Sequence, residues 1–167
     1  METWTLLDAD GNSTGGTLVR GERIPPGTYH LVVHIWVEDD KGRLLIQKRA
    51  STVKLMPDVW AATGGSAVAG ESSRDAAHRE LLEELGLDVP PARLLEIGRL
   101  KRHSSFCDLW LTRCNVDVTQ LSLQREEVAE ARWVTWDKLM EMAGTRDFHH
   151  YGREYFQFLR EGIRRIK

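Results

Sequence analysis

Cysteine is nearly missing from this chain: Cys107 and Cys114 are the whole supply among 167 residues. That excludes a disulfide framework. Their spacing of seven puts them on opposite faces of a strand, which argues against a bond between them. Free thiols fit a reducing compartment, so the cytoplasm is the expected location. No apolar run approaches the length of a bilayer span, and the first residues lack the apolar stretch of a secretory leader. A large excess of one charge is also lacking, because 23 basic residues against 25 acidic ones leave a formal net charge of −2. Neither nucleic acid nor membrane is therefore expected as a partner. There is no internal repeat and no low-complexity tract. What remains is an ordinary globular composition, 41% hydrophobic and 29% charged, expected to form one domain over residues 1–167.

Pattern and punctuation outline the elements. Residues 3–8 alternate and then meet the turn signal Asp10-Gly11. Thr17–Arg20 returns after the Gly15-Gly16 break, so residues 1–27, closed by Pro25-Pro26-Gly27, are expected as an N-terminal β-hairpin. His30–Glu38 and Arg43–Arg49 read as strands around the turn Asp40-Lys41-Gly42, and residues 50–59 as a loop. Trp60–Thr63 is a short apolar segment leading to a Gly64-Gly65 turn. Further strands are expected at Arg93–Leu100, Phe106–Val116 and Glu130–Trp136. Asp137 is expected to cap a short helix to Ala143, and residues 151–167 to hold a C-terminal amphipathic helix. Strands on both sides of a central helix predict an α+β fold, a mixed sheet between helices.

That central helix is the unusual part. Ser72 or Ser73 can cap it and Gly86 can end it, with Ala77, Leu81 and Leu85 as its apolar stripe. Beside the stripe, Glu80, Glu83 and Glu84 fall at i, i+3 and i+4 and crowd three like charges on one side. A counter-cation relieves that repulsion, and hard oxygen ligands suit Mg²⁺ or Mn²⁺.

The spacing Gly65, Glu71, Arg79-Glu80-Leu81, Glu83-Glu84, Gly86-Leu87 resembles the Nudix box, GX5EX7REUXEEXGU with U a bulky aliphatic, at every specified position. The resemblance implies the Nudix fold and water attack on the diphosphate of a nucleoside diphosphate linked to another moiety, aided by divalent metal. It implies Glu80 and Glu84 as metal ligands, Glu83 as a further ligand or proton acceptor, and the Gly65 carbonyl as a ligand. Arg79, four residues before Glu83, can orient that carboxylate. Glu71 can accept from a helix-start N–H or from Arg79, and its alternative role is purely structural. Such enzymes often take the base from outside the box. Glu126, Glu127 and Glu130 are the candidates here, with Glu127 favoured.

Residues 29–60 also resemble the isopentenyl-diphosphate isomerase branch, whose R-x-S-x-x-K segment binds a diphosphate. Arg49, Ser51 and Lys54 match it, which implies substrate contact by Arg49 and Lys54. Where those isomerases read W-T-N-T-C-C-S-H-P, this chain reads W-A-A-T-G-G-S-A-V. Gly64-Gly65 replace the cysteines and Ala67 the metal-binding histidine. Without that thiol, protonation of an alkene has no agent. The expectation is a hydrolase of small organic diphosphates. The alternatives are an isomerase-like enzyme or a catalytically silent nucleotide-binding domain. The C-terminal helix, outside the resemblance, is the candidate surface for a homodimer.

Overall fold

The computed structural model describes residues 1–166; Lys167, the last residue of the expected C-terminal helix, lies outside them. Nine strands and three α-helices follow one another as β1 (Thr3–Leu7), β2 (Ser13–Val19), β3 (His30–Glu38), β4 (Leu44–Arg49), β5 (Trp60–Ala61), β6 (Thr63–Ser66), α1 (Ser73–Leu85), β7 (Leu95–Lys101), β8 (Ser105–Arg113), β9 (Val128–Val134), α2 (Trp136–Ala143) and α3 (Arg153–Arg165). The main sheet runs β5-β4-β3-β8-β7, with β6 also paired to β3 and β9 to β4. β3 and β8 run parallel at its centre, and the other pairings are antiparallel. The architecture is the expected mixed sheet between helices, preceded by the β1–β2 hairpin.

Alternation along β3 assigns the two faces. Val33, Ile35 and Val37 join Leu81 and Leu85 of α1, whereas Trp36 faces Tyr155, Leu159 and Ile163 of α3. β8 is buried over almost its whole length, as befits a central strand covered on both faces. Cys107 packs on the α3 side and Cys114 against the α1 side, both as free thiols on opposite faces.

Helix α1 forms against its own charges. Glu83 and Glu84 sit in its last turn, the negative end of the helix dipole, with no basic residue there. Like-charge pairs at helical spacing cost a few tenths of a kcal/mol each, whereas Leu81 and Leu85, both fully buried, contribute about 1.5–3 kcal/mol apiece. Packing wins. The Ser72 hydroxyl accepts from Asp75 N–H, and Gly86 closes the helix at φ 68°, where a Cβ would strike Ser122.

Several boundaries differ from the expectation, each for a local reason. β8 stops at Arg113 because its partner β3 stops at Glu38. β9 begins at Val128, which pairs with Arg49. Thr135, not Asp137, caps α2, its hydroxyl accepting from Lys138 N–H. Gly15-Gly16 lie within β2 rather than breaking it. Gly64-Gly65 likewise form no turn. They are extended within β6, paired with His34 and Val33, and a Cβ on Gly64 would run into the Val33 carbonyl.

Beneath α3, Trp36 Nε1–H donates to Tyr155 Oη at 3.0 Å, and that hydroxyl lies 2.7 Å from His34 Nδ1. The order that leaves no hydrogen stranded has Tyr155 donating to a neutral His34. Burial lowers the His34 pKa to about 3, with the His149 and Arg102 charges adding to it. The unfolded chain therefore takes up a proton near the ordinary 6.5 that the folded chain refuses. Stability contributed at neutral pH is lost progressively as pH falls from 6.5 toward 3, at up to about 1.4 kcal/mol per pH unit. Urea midpoints measured across this range should drop with a shallower slope in His34→Gln than in the parent chain; equal slopes would refute the assignment.

Candidate active site

Arg79 organises the box. Its Nε and Nη2 reach Glu71 Oε1 and Oε2 at 2.8 and 3.0 Å, a bidentate pair. Nη1 donates to Glu80 Oε1 at 2.9 Å and to Glu83 Oε2 at 3.3 Å, and Nη2 also reaches the Ser66 carbonyl at 3.2 Å. The Glu71 hydrogen bonds and the neighbouring carboxylates raise the Arg79 pKa further and keep it charged. Glu71 Oε2 also accepts from Val68 N–H at 3.0 Å, ahead of the helix rather than at its start. Of the two partners expected for Glu71, Arg79 is the one used, and Val68 N–H takes the place of a helix-start N–H.

Glu80 and Glu84 project inward and Glu83 outward: Glu80 is 12% exposed, Glu84 6% and Glu83 49%. Loss of water pushes both inner carboxyls up, with the Arg79 charge opposing the shift at Glu80 and the Glu80 charge adding to it at Glu84. The Glu127 charge raises Glu84 further, while Gln47 Nε2 opposes it by donating to Glu84 Oε2 at 2.7 Å. Gly65 faces Glu80, and a Cβ there would lie 2.5–2.9 Å from its carboxyl. Two desolvated carboxyls, one of them against a bare backbone, form an all-oxygen donor set suited to a hard divalent cation. Among the described residues, no group of three or more His, Cys, Asp or Glu is positioned to hold a metal. Glu80, Glu84 and the Gly65 backbone are the oxygen groups here that could hold one.

An open groove of ≈ 690 Å³ lies near the C-terminal end of α1, and no residue of the box lines it. Arg49, Lys54, Glu126 and Glu127 line it, so it gathers residues expected to hold phosphate and to take a proton. Backbone bonds lace it to the end of α1: Gln124 N–H reaches the Glu84 carbonyl, and Ala50 N–H the Glu127 carbonyl. Glu130 is not part of it; it pairs with Arg132 on β9. Arg49 has a second task. Its Nε and Nη2 donate to the Leu55 and Met56 carbonyls at 2.9–3.1 Å, folding the 50–58 loop over itself. Met56 and Asp58 in that loop adopt positive φ without being glycine, a local strain of the kind stored at ligand-binding sites.

Two basic residues passed over in the sequence also line the groove, Arg20 from the end of the hairpin and Arg125. Only the tertiary fold brings Arg20 there. Gln47 and Thr63 are likewise hidden in the sequence, one inside a strand and the other at the end of a short apolar segment. Asp108 is taken up by a bidentate Arg99 pair and is absent from the groove lining. His30 stacks on Trp4, with ring centroids 4.1 Å apart, which is an interface role. His149 is half-buried, because its neighbour Phe148 is anchored in the core and its ring stacks on Tyr151. Trp110 is buried against α1, donating to the Ser73 hydroxyl, while Trp136 lies in a separate groove between α2 and α3.

The comparisons agree with this geometry. Residues 28–154 match the family model described as the NUDIX domain. An uncharacterised Nudix hydrolase of Listeria innocua is 40% identical over 152 residues, covering 90% of each chain. An isopentenyl-diphosphate Delta-isomerase of Cutibacterium acnes is 32% identical over 155 residues, covering 83% of this chain and 76% of its own. A crystal structure from Deinococcus radiodurans superposes with a TM-score of 0.77 at 20% identity, over 95% of this chain and 98% of that one. With the box intact in sequence and assembled in space, the chain belongs to the Nudix family.

Proposed function

We propose that this protein hydrolyses the diphosphate bond of a small organic diphosphate, such as a nucleoside diphosphate linked to another moiety, with Mg²⁺ or Mn²⁺ as cofactor. The observation that carries the reading is the desolvated Glu80–Glu84 pair, with Glu80 facing the bare Gly65 backbone, near a groove bearing Arg49 and Lys54. Glu80, Glu84 and the Gly65 carbonyl would hold the cation, with Glu83 available from the outer side. When bound, it neutralises phosphoryl oxygens and lowers the pKa of water.

The protein's own groups supply the rest. Lys54 and the part of the Arg49 guanidinium not bonded to the loop hold the diphosphate oxygens. Glu127 accepts the proton of the attacking water as its oxygen bonds to phosphorus and the bridging P–O bond breaks. Arg79 holds Glu80 and Glu83 in place while Glu71 fixes Arg79. An isomerase would need a thiol here, and both cysteines lie elsewhere: Cys107 is buried on the α3 side and Cys114 lies beyond the end of β8.

Phosphate release measured with Mg²⁺ over nucleotide sugars, dinucleotides, ADP-ribose, coenzymes, nucleoside triphosphates and isoprenoid diphosphates tests the reading. Glu84→Gln should lower the rate on whichever substrate turns over by at least about 100-fold. Unchanged turnover would sink the metal assignment, and silence across the panel with nucleotide still binding by calorimetry would point to a binding domain. Gly65→Ala tests the bare backbone. Its Cβ meets the far end of a flexible side chain, so the fold should survive while the Glu80 carboxyl is displaced. Activity should fall by about 10-fold or more with little change in melting temperature. Full activity in Gly65→Ala would remove the argument from close approach.

A further inference from the structure

The structure assigns Gln47 as the positioning residue of the Glu84 carboxylate, with Thr63 setting which end of the Gln47 amide faces it. The inference rests on the reading of Glu84 as a metal ligand and goes beyond it to two residues on different strands. Gln47 is 2% exposed and Thr63 1%, so their polar groups must be satisfied within the protein. Thr63 Oγ1–H donates to Gln47 Oε1 at 3.0 Å, and Gln47 Nε2–H donates to Glu84 Oε2 at 2.7 Å.

The order of donors matters. With Oε1 engaged by the threonine hydroxyl, the amide can present only its NH₂ end to the helix. A flipped amide would set a carbonyl oxygen against a carboxyl oxygen and leave the hydroxyl hydrogen unpartnered. The bond fixes Oε2 of Glu84 and leaves Oε1 as the oxygen not held by an amide.

Strand geometry makes the relay deliberate. On the α1 face of β4, Leu45 lies under the helix in the core, and Gln47, two residues on, lies under Glu84. Arg49, two further, reaches the groove. A hydrophobic residue at position 47 would continue the core without the cost of burying an amide. One strand face thus runs from packing, through ligand orientation, to phosphate contact.

The test uses the full-length protein, with Mn²⁺ affinity read by electron paramagnetic resonance in the absence of substrate and the Mg²⁺ half-activation concentration read in the phosphate-release assay. Gln47→Met should weaken Mn²⁺ binding by about 10- to 100-fold and raise the Mg²⁺ requirement in parallel. The substrate KM at saturating Mg²⁺ should hold. Thr63→Ser, which keeps the hydroxyl, should bind Mn²⁺ more tightly than Thr63→Val, which loses it. A purely structural role would lower the melting temperature of Gln47→Met and leave its Mn²⁺ affinity alone, and that result overturns the inference. Should Gln47→Met fail to fold, equal affinities in the two Thr63 variants overturn it instead. If Glu84→Gln loses Mn²⁺ while Gln47→Met and Thr63→Val do not, only the positioning role falls. If Glu84→Gln binds Mn²⁺ as the parent does, the metal reading falls, and this inference with it.

Discussion

Two carboxyl groups held side by side out of water set the terms for everything around them. Glu80 and Glu84 lose most of their hydration on α1, and that burial makes each resist ionisation. Their neighbours answer that cost in different ways. Arg79 gives Glu80 a cation and is itself clamped by both oxygens of Glu71. Gln47 gives Glu84 a neutral donor, which stabilises charge without cancelling it. The helix carrying these groups has its acidic residues at the unfavourable pole, so it depends on buried leucines rather than on its own propensity.

How much of this could be read from the chain depends on whether the determining contact is local. Ser72 and Gly86 act on neighbours within a turn, and both were legible as caps. The Arg79–Glu83 pair follows from helical spacing alone, and Glu71 needed only a cation within reach. Gly64 was misread as part of a turn because its reason lies on β3, where the Val33 carbonyl leaves no room for a side chain. Gln47 and Thr63 were invisible for the same reason: a polar residue in a strand acquires meaning only when the helix opposite is known. Arg49 was half legible. It lines the groove together with Lys54, the residue the sequence paired it with, but its grip on the Leu55 and Met56 carbonyls is a property of the folded loop.

The site thus divides into a rigid half and a strained half. The box is cross-braced by Arg79 and by buried hydrogen bonds, leaving its carboxyls little freedom. The groove is bounded by the loop at 50–58, with Met56 and Asp58 at positive φ and Leu55 72% exposed. Rigid ligand placement suits chemistry that is the same for every substrate, because preorganised charge costs nothing to reorganise during reaction. A strained, partly apolar loop suits recognition of whatever lies beyond the diphosphate.

That division explains how one frame resembles both hydrolases and an isomerase. The similarity extends to both because it lies in the shared domain rather than in one activity. The deciding positions are few and lie on β6, where glycine stands instead of a thiol. Neither remaining cysteine can take that place. Cys107 sits on the α3 side of the sheet, and burial pushes its thiol up to about 12, far from the thiolate a reactive cysteine requires. Gly65 in the same strand leaves the Glu80 carboxyl the space that a side chain would fill. Glycine at this strand position thus does two things at once: it offers no thiol, and it lets the Glu80 carboxyl lie against the backbone.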